Sequence, residues 1–154
     1  MSNAVIVTGG AIRIGREICL KLSEEGYKIA IHYRSSGDDA RGLQEEIESA
    51  GGKACTIQCD LNDSNSVKGL IKNASDSLGT VVGVVNNASL FVLDRIEDVS
   101  EETWVEHMKV NALAPLLLIQ TLFESPVEGS WVVNILDFKV ESPNADYLSY
   151  TGSR

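Results

Sequence analysis

Residues 4–16 read AVIVTGGAIRIGR. The stretch opens on a short, β-branched apolar run, 4–7, bounded by glycine, which predicts a buried strand. Thr8-Gly9-Gly10 follows, then Gly15, with Ile14, Ile18, Cys19 and Leu22 recurring at helical spacing. Strand, glycine turn and helix together form the entry to a dinucleotide-binding βαβ unit. Glycine lets the backbone approach a pyrophosphate, and the start of the helix offers free N–H groups and a partial positive charge. The turn lacks the G-x-G-x-x-G spacing, so on its own it also fits an ordinary strand-to-helix connection. The residues at the later strand ends decide between the two.

The 154 residues are 44% hydrophobic and 23% charged, which fits a single globular domain, 1–154, with its own core. A net charge of −9 argues against a nucleic-acid or anionic-membrane binder, because both demand a basic face. No run is apolar for long enough to span a bilayer, and no signal peptide is evident. With three cysteines, an odd number, the expected setting is reducing and cytoplasmic. Cys55 and Cys59 share the run KACTIQC; on one strand their Cα atoms lie about 13 Å apart, beyond disulfide reach. No cysteine–histidine grouping has metal-ligand spacing, so no metal is expected. The N-x-S triplets at Asn62, Asn73 and Asn87 are read as chance matches.

Further strands are predicted at 28–33, 53–59, 81–85 and 131–136, and helices at 38–50 and 62–78. A long helix starts at the cap Ser100 and runs to about residue 123, with Pro115 as a candidate kink. A further helix starts near Tyr147. Residues 112–119 are apolar nearly all round, so that helix needs cover on more than one side. Strands alternating with crossover helices predict an α/β fold, a doubly wound parallel sheet of the Rossmann type. Ligands of such sheets bind at the C-terminal strand ends. Those ends carry residues 9–13, Arg34 and Ser35, Asp60, residues 86–89 and Asp137.

These motifs resemble the short-chain dehydrogenase/reductase family, and within it the pteridine reductase-like branch. Thr8-Gly9-Gly10-Ala11-Ile12-Arg13-Ile14-Gly15 is similar to the family's TGxxxGxG, with Arg13 replacing the middle glycine as in that branch. Asn86-Asn87-Ala88-Ser89 resembles NNAG, with Ser89 for glycine. Asn111 matches the family's active-site asparagine. Tyr150 and Arg154 stand where YxxxK belongs, with arginine in place of lysine. Asp137 lies thirteen residues before Tyr150, where the branch has aspartate and most of the family has serine. The family continues beyond this point, so the sequence reads as the C-terminally truncated, N-terminal part of a reductase, or a relic of one. It lacks the following helix, strands and substrate loop.

The resemblance implies an NADPH-dependent reductase of a pterin or dihydrofolate-type ring, and a homo-oligomer for the full-length form. Gly9, Arg13, Ile14, Gly15, Asn86, Ala88 and Ser89 would line NADP(H). Arg34 and Ser35 stand where NAD-binding folds want a carboxylate; the first acid after that strand is Asp38. Arginine with a hydroxyl suits a 2′-phosphate, although Arg34 also reads as a solvated surface residue. Asp60 and Leu61 would edge the adenine, and Asp60 reads equally as a helix cap. Tyr150 is the implied proton donor, with Arg154 as its cation, Asp137 as relay and Asn111 alongside. Arg13, Ser89, Phe91, Asp137 and Tyr150 would meet the substrate. His32 and His107 read as structural or surface residues, and Trp104 and Trp131 as core or interface. Catalytically silent alternatives are a cofactor-binding module and a truncated product without function.

Overall fold

The computed structural model describes residues 3–124, 126–143 and 145–154. β1 (Ala4–Val7) is buried along its whole length. It lies at the centre of a five-stranded parallel sheet with β2 (Lys28–Tyr33), β3 (Ala54–Gln58), β4 (Val81–Asn86) and β5 (Trp131–Asn134), in the order β3-β2-β1-β4-β5. The doubly wound sheet read from the sequence is therefore present. A central parallel strand is covered on both faces, which is why residues 4–7 are uniformly apolar rather than alternating.

The pleat sends alternate β1 residues to two cores. Val5 and Val7 join Ile29, Ile31 and Val85 under α1 (Arg13–Glu24) and α2 (Gly37–Ser49), through Cys19, Leu43 and Ile47. Ala4 and Ile6 pack on the other face with Val67 and Leu70 of α3 (Ser64–Leu78). Leu118 belongs to the same core. Ile14 sits outside both cores at 64% exposure, a correction to the helical series that included it. It lies in the first turn of α1, beside the exposed Ile12 and Arg13.

α3 starts two residues later than predicted. The Asp63 carboxylate accepts from the Asn65 N–H at 3.0 Å and is the cap, whereas Asp60 accepts from the Asn62 N–H at 2.9 Å and closes a turn. The helix-cap reading of Asp60 thus passes to Asp63. The long helix begins at Ser100, whose hydroxyl accepts from the Thr103 N–H at 3.1 Å. It comprises α4 (Glu101–His107), a π-helical stretch (Met108–Leu113) and α5 (Ala114–Glu124). Pro115 has no N–H for the Asn111 carbonyl and its ring crowds that group, so the ladder widens one turn before the proline.

Ala114, Leu117, Leu118 and Leu122 of α5 are buried, while Leu116 and Phe123 are exposed on its other side. β5 ends at Asn134, short of the predicted 136, and Leu136 is exposed. After a single 3-10 turn (Phe138–Val140) comes α6 (Leu148–Gly152). Trp104 lies across Gly152, and Trp131 covers Gly83. All three cysteines are free thiols. Among the described residues no helix is long and apolar enough to cross a membrane, and no group of side chains could hold a metal ion.

Candidate active site

The glycine turn leaves β1 with Gly9 at φ +61°, a conformation that favours glycine. A Cβ on Gly15 would strike the Gly9 carbonyl and come within 2.7 Å of Asn87 Nδ2. Between them Arg13 holds φ +52°, so an arginine occupies the left-handed backbone that glycine adopts without strain. The N-cap of α1, Ile12, supplies no side-chain bond, and no acidic residue stands in the first turn. The first amides of α1 therefore remain uncapped beside an exposed arginine. A cradle that excludes Cβ atoms and ends in free N–H groups fits a diphosphate.

β4 locks to this turn through one hydroxyl. Thr8 Oγ1 accepts from the Asn87 and Ala88 N–H groups, each at 3.0 Å, and donates to the Val85 carbonyl at 3.3 Å. Asn87 Nδ2 returns bonds to the Thr8 and Gly9 carbonyls at 2.9 and 3.2 Å. A cleft of about 160 Å³ opens over this seam. Gly9, Arg34, Asp60, Leu61, Ala88 and Ser89 line it, so six of the predicted cofactor residues come together. Ser35 is exposed beside Arg34 but outside the lining, and Arg13 lines a separate hollow on the outer side of the turn. Neither Arg13 nor Arg34 has an ion-pair partner among the described residues. Asp38 is paired with Arg41 on the exposed face of α2. A larger hollow, of about 560 Å³, lies at the opposite rim near Ser23, Lys28 and Gly52, away from every predicted site residue.

A cavity of about 370 Å³ is lined by Asn86, Asn111, Asn134, Leu136, Ser153 and Arg154, so two of the predicted catalytic residues, Asn111 and Arg154, meet there while Tyr150 and Asp137 stand outside its lining. Tyr150 is 3% exposed on α6. Its hydroxyl accepts from Arg154 Nε at 3.3 Å, one helical turn along, and the guanidinium carbon lies 5.2 Å from the ring centroid. Asn86 donates to Asn134 at 2.8 Å, while its own Oδ1 is buried without a partner. Asn111 spends its amide on structure: it accepts from the Leu90 N–H at 2.8 Å and donates to the Leu90 carbonyl and Ser153 hydroxyl. Asp137 accepts from the Lys139 N–H at 2.9 Å and thereby caps the 3-10 turn; it makes no hydrogen bond to Tyr150 among the described residues. Phe91, 49% exposed, stacks on Tyr147 with centroids 4.2 Å apart and 12° between planes, and meets the edge of Tyr150 at 4.6 Å.

Three residues outside the predicted site set shape this site, and His32 is one of them in the structural role that the sequence suggests. His32 is buried; its Nδ1 accepts from the Gly9 N–H at 3.0 Å and its Nε2 lies 3.0 Å from the Cys59 carbonyl. Burial pushes its imidazole down to about 4, against the opposing pull of the Cys59 carbonyl and the Asp60 carboxylate. Its place at the C-terminal end of β2, on the ligand lip, was the available signal. Asp94 is a buried carboxylate that accepts from the Ser149 N–H at 3.1 Å and so caps α6 from a distant loop. No local pattern announces such a cap. Tyr147, at φ +60°, turns the chain into α6. The cysteines offer no nucleophile: burial pushes the Cys19 thiol up to about 12, and burial with nearby Asp60 and Asp63 pushes Cys59 up to about 11.

The geometry has known parallels. The family model described as short chain dehydrogenase matches residues 3–154. An uncharacterized oxidoreductase of Methylorubrum extorquens is 33% identical over 149 residues, 97% of this chain and 60% of its own length. The 3-oxoacyl-[acyl-carrier-protein] reductase FabG of Staphylococcus epidermidis is 34% identical over 111 residues, covering 72% of this chain and 46% of that protein. Among solved structures, FolM alternative dihydrofolate reductase 1 from Brucella suis, in complex with NADP, superposes with a TM-score of 0.92 at 38% identity. The match covers 98% of this chain and 63% of that one. The chain thus spans less than two thirds of the length of these relatives.

Proposed function

The chain belongs to the short-chain dehydrogenase family, and on that premise we propose that it forms the NADP(H)-binding and proton-donating part of a reductase acting on a pterin or dihydrofolate-type ring. One observation carries the cofactor half of the reading. Arg34 and Ser35 stand exposed at the end of β2, Arg34 in the cleft wall, and the first acid after that strand, Asp38, is paired with Arg41. A guanidinium with a neighbouring hydroxyl binds a 2′-phosphate, whereas a ribose 2′-hydroxyl calls for a carboxylate. The NADP complex of the similar FolM protein supports the same choice.

NADPH, when bound, supplies the hydride. The chain's own residues do the rest. The uncapped start of α1 and Arg13 hold the diphosphate. Asp60 and Leu61 border the adenine, and Asn86, Ala88 and Ser89 line the path toward Tyr150. The Tyr150 hydroxyl, in contact with the Arg154 cation, gives the proton to the reduced ring; Asp137, which caps the 3-10 turn, is assigned the return of that proton by the resemblance alone. Ser89 in the cleft wall and the half-exposed ring of Phe91 favour a flat, hydrogen-bonding heterocycle over a sugar or steroid; Arg13, which lines a separate hollow, is assigned to it by the resemblance alone. The similarity to FabG makes a 3-oxoacyl thioester the competing substrate class.

Fluorescence titration with NADPH and NADH tests the cofactor. NADPH should bind more tightly, and Arg34→Ala should abolish the preference; equal affinities in the unmodified chain refute it. NADPH oxidation with dihydropterin or dihydrofolate, by a form carrying the remainder of a reductase, tests the substrate. Activity on 3-oxoacyl thioesters alone overturns the pterin reading. A second reading, a cofactor-binding module without turnover, is favoured by Arg154. A planar guanidinium need not reproduce a lysine's contacts around Tyr150.

A further inference from the structure

We propose that His32 is the positioning residue of the diphosphate turn, acting through a neutral ring whose Nδ1 accepts the Gly9 amide; the proposal rests on the NADP(H) reading above. The ring is 2% exposed and spans the ends of β1, β2 and β3. A backbone N–H can only donate, so Nδ1 at 3.0 Å from Gly9 N is the acceptor. The ring proton then sits on Nε2 and is donated to the Cys59 carbonyl, also at 3.0 Å. The next amide of the turn, Gly10 N–H, is taken by the backbone carbonyl of His32 at 2.9 Å. One residue therefore holds two successive turn amides, one through its ring and one through its backbone.

Two consequences follow for the site. The Gly9 and Gly10 amides are spent on β2 and do not serve a phosphate. A bound diphosphate must draw its backbone donors from the start of α1, beside Arg13, where the amides are uncapped. The ring must also stay neutral. A proton on Nδ1 would set donor against donor at Gly9 and release the turn. The charged groups around the ring are Asp60 at the end of β3, which favours the cation, and Arg34 just past β2, in the wall of the same cleft. The neighbouring Cys59 thiol is neutral, and residues 8–10 of the β1 turn carry no charge.

Two amide variants separate the halves of the ring. In His32→Asn the short side chain can put its oxygen where Nδ1 stands and still accept from Gly9. In His32→Gln the longer side chain reaches the Nε2 position, donates to Cys59 and leaves Gly9 without an acceptor. Fluorescence titration of the chain with NADPH should find His32→Asn binding roughly tenfold tighter than His32→Gln, since an unpaired buried amide costs about a factor of ten or more. Equal losses, no loss, or the reverse order overturn the proposal, because a ring that merely fills space or serves Cys59 gives one of those results. Nitrogen NMR of the imidazole in the unmodified chain is the second measurement, and it needs no cofactor. It should find Nε2 protonated and Nδ1 bare from pH 8 down to pH 5.5, with the Gly9 amide protected from exchange. A proton on Nδ1, or a freely exchanging Gly9 amide, overturns the proposal even if both variants fail to fold. If the unmodified chain does not bind NADPH, the cofactor reading fails, and the NMR result alone decides the role of His32.

Discussion

Thr8→Val is the sharpest probe of how the two halves of the sheet are joined. The change keeps the volume and the branching and removes only the hydroxyl. Thr8 is 2% exposed, and its Oγ1 is the acceptor for the Asn87 and Ala88 N–H groups at 3.0 Å each. Valine leaves both donors without that acceptor, at about 1–3 kcal/mol apiece. The Val85 carbonyl loses the hydroxyl but keeps the Thr8 N–H at 3.0 Å, so it adds little. Asn87 and Ala88 are only half-buried, and water relieves part of the penalty. The expected loss is therefore about 2–4 kcal/mol. With a urea m-value of about 2 kcal/mol/M, the unfolding midpoint should fall by roughly 1–2 M at unchanged m. Thr8→Ser is the control: it keeps the hydroxyl, loses one buried methyl and should cost about 1 kcal/mol. If the valine variant proves as stable as the serine variant, the hydroxyl does not hold the seam and the reasoning is wrong.

Gly15→Ala should lose NADPH binding in the same fluorescence titration and cost about 1–3 kcal/mol in urea unfolding, because the new Cβ meets Gly9 backbone rather than a movable side chain. For His32, the folded imidazole sits at about 4 against an ordinary value near 6.5, so between those limits the unfolded chain binds the extra proton. Its contribution is fully present above pH 6.5 and is lost as the pH falls toward 4; over that window the unmodified chain should lose about 3 kcal/mol more than His32→Asn. Urea unfolding of both proteins at pH 7, 5.5 and 4 reads the difference, and parallel curves would contradict it. Tyr150→Phe, in a form carrying the remainder of a reductase, should leave NADPH affinity intact and cut turnover by about 10²- to 10⁴-fold. Near-normal turnover would place the proton donor elsewhere.

The fold was legible because residues 4–7, 29–31 and 81–85 are apolar runs with polar punctuation, and those runs lie in the inner strands of the sheet. Boundaries slipped where side chains decide them at short range. Asp63 and Asp60 both precede α3, and only local geometry chose Asp63 as the cap. At the cleft, residues were found wherever they directly follow a strand: Gly9, Arg34, Asp60 and Ala88 all lie there. What stayed hidden depends on contacts far apart in the chain. His32 was set aside because its partners, Gly9 and Cys59, are 23 and 27 residues away. Asp94 meets Ser149 across 55 positions. The Phe91–Tyr147 stack likewise joins a loop after β4 to the entry of α6, and nothing local to either residue encodes it.

The placement of β1 beside β4 has a consequence for how the chain is made. β1, β2 and β3 pair with their neighbours in sequence and close through short crossovers, whereas the Thr8 bonds to Asn87 and Ala88 join residues 79 and 80 positions apart. Contacts of that span close late and slowly. The ligand cleft lies across that late seam, so a half-folded chain owns the glycine turn but not the wall that completes it. Anything that binds across the cleft selects chains in which the seam has closed, and at a hundredfold excess over its dissociation constant it adds about 2.7 kcal/mol to their stability. On the NADP(H) reading proposed above, nucleotide binding and closure of the seam draw on the same contacts, so each favours the other.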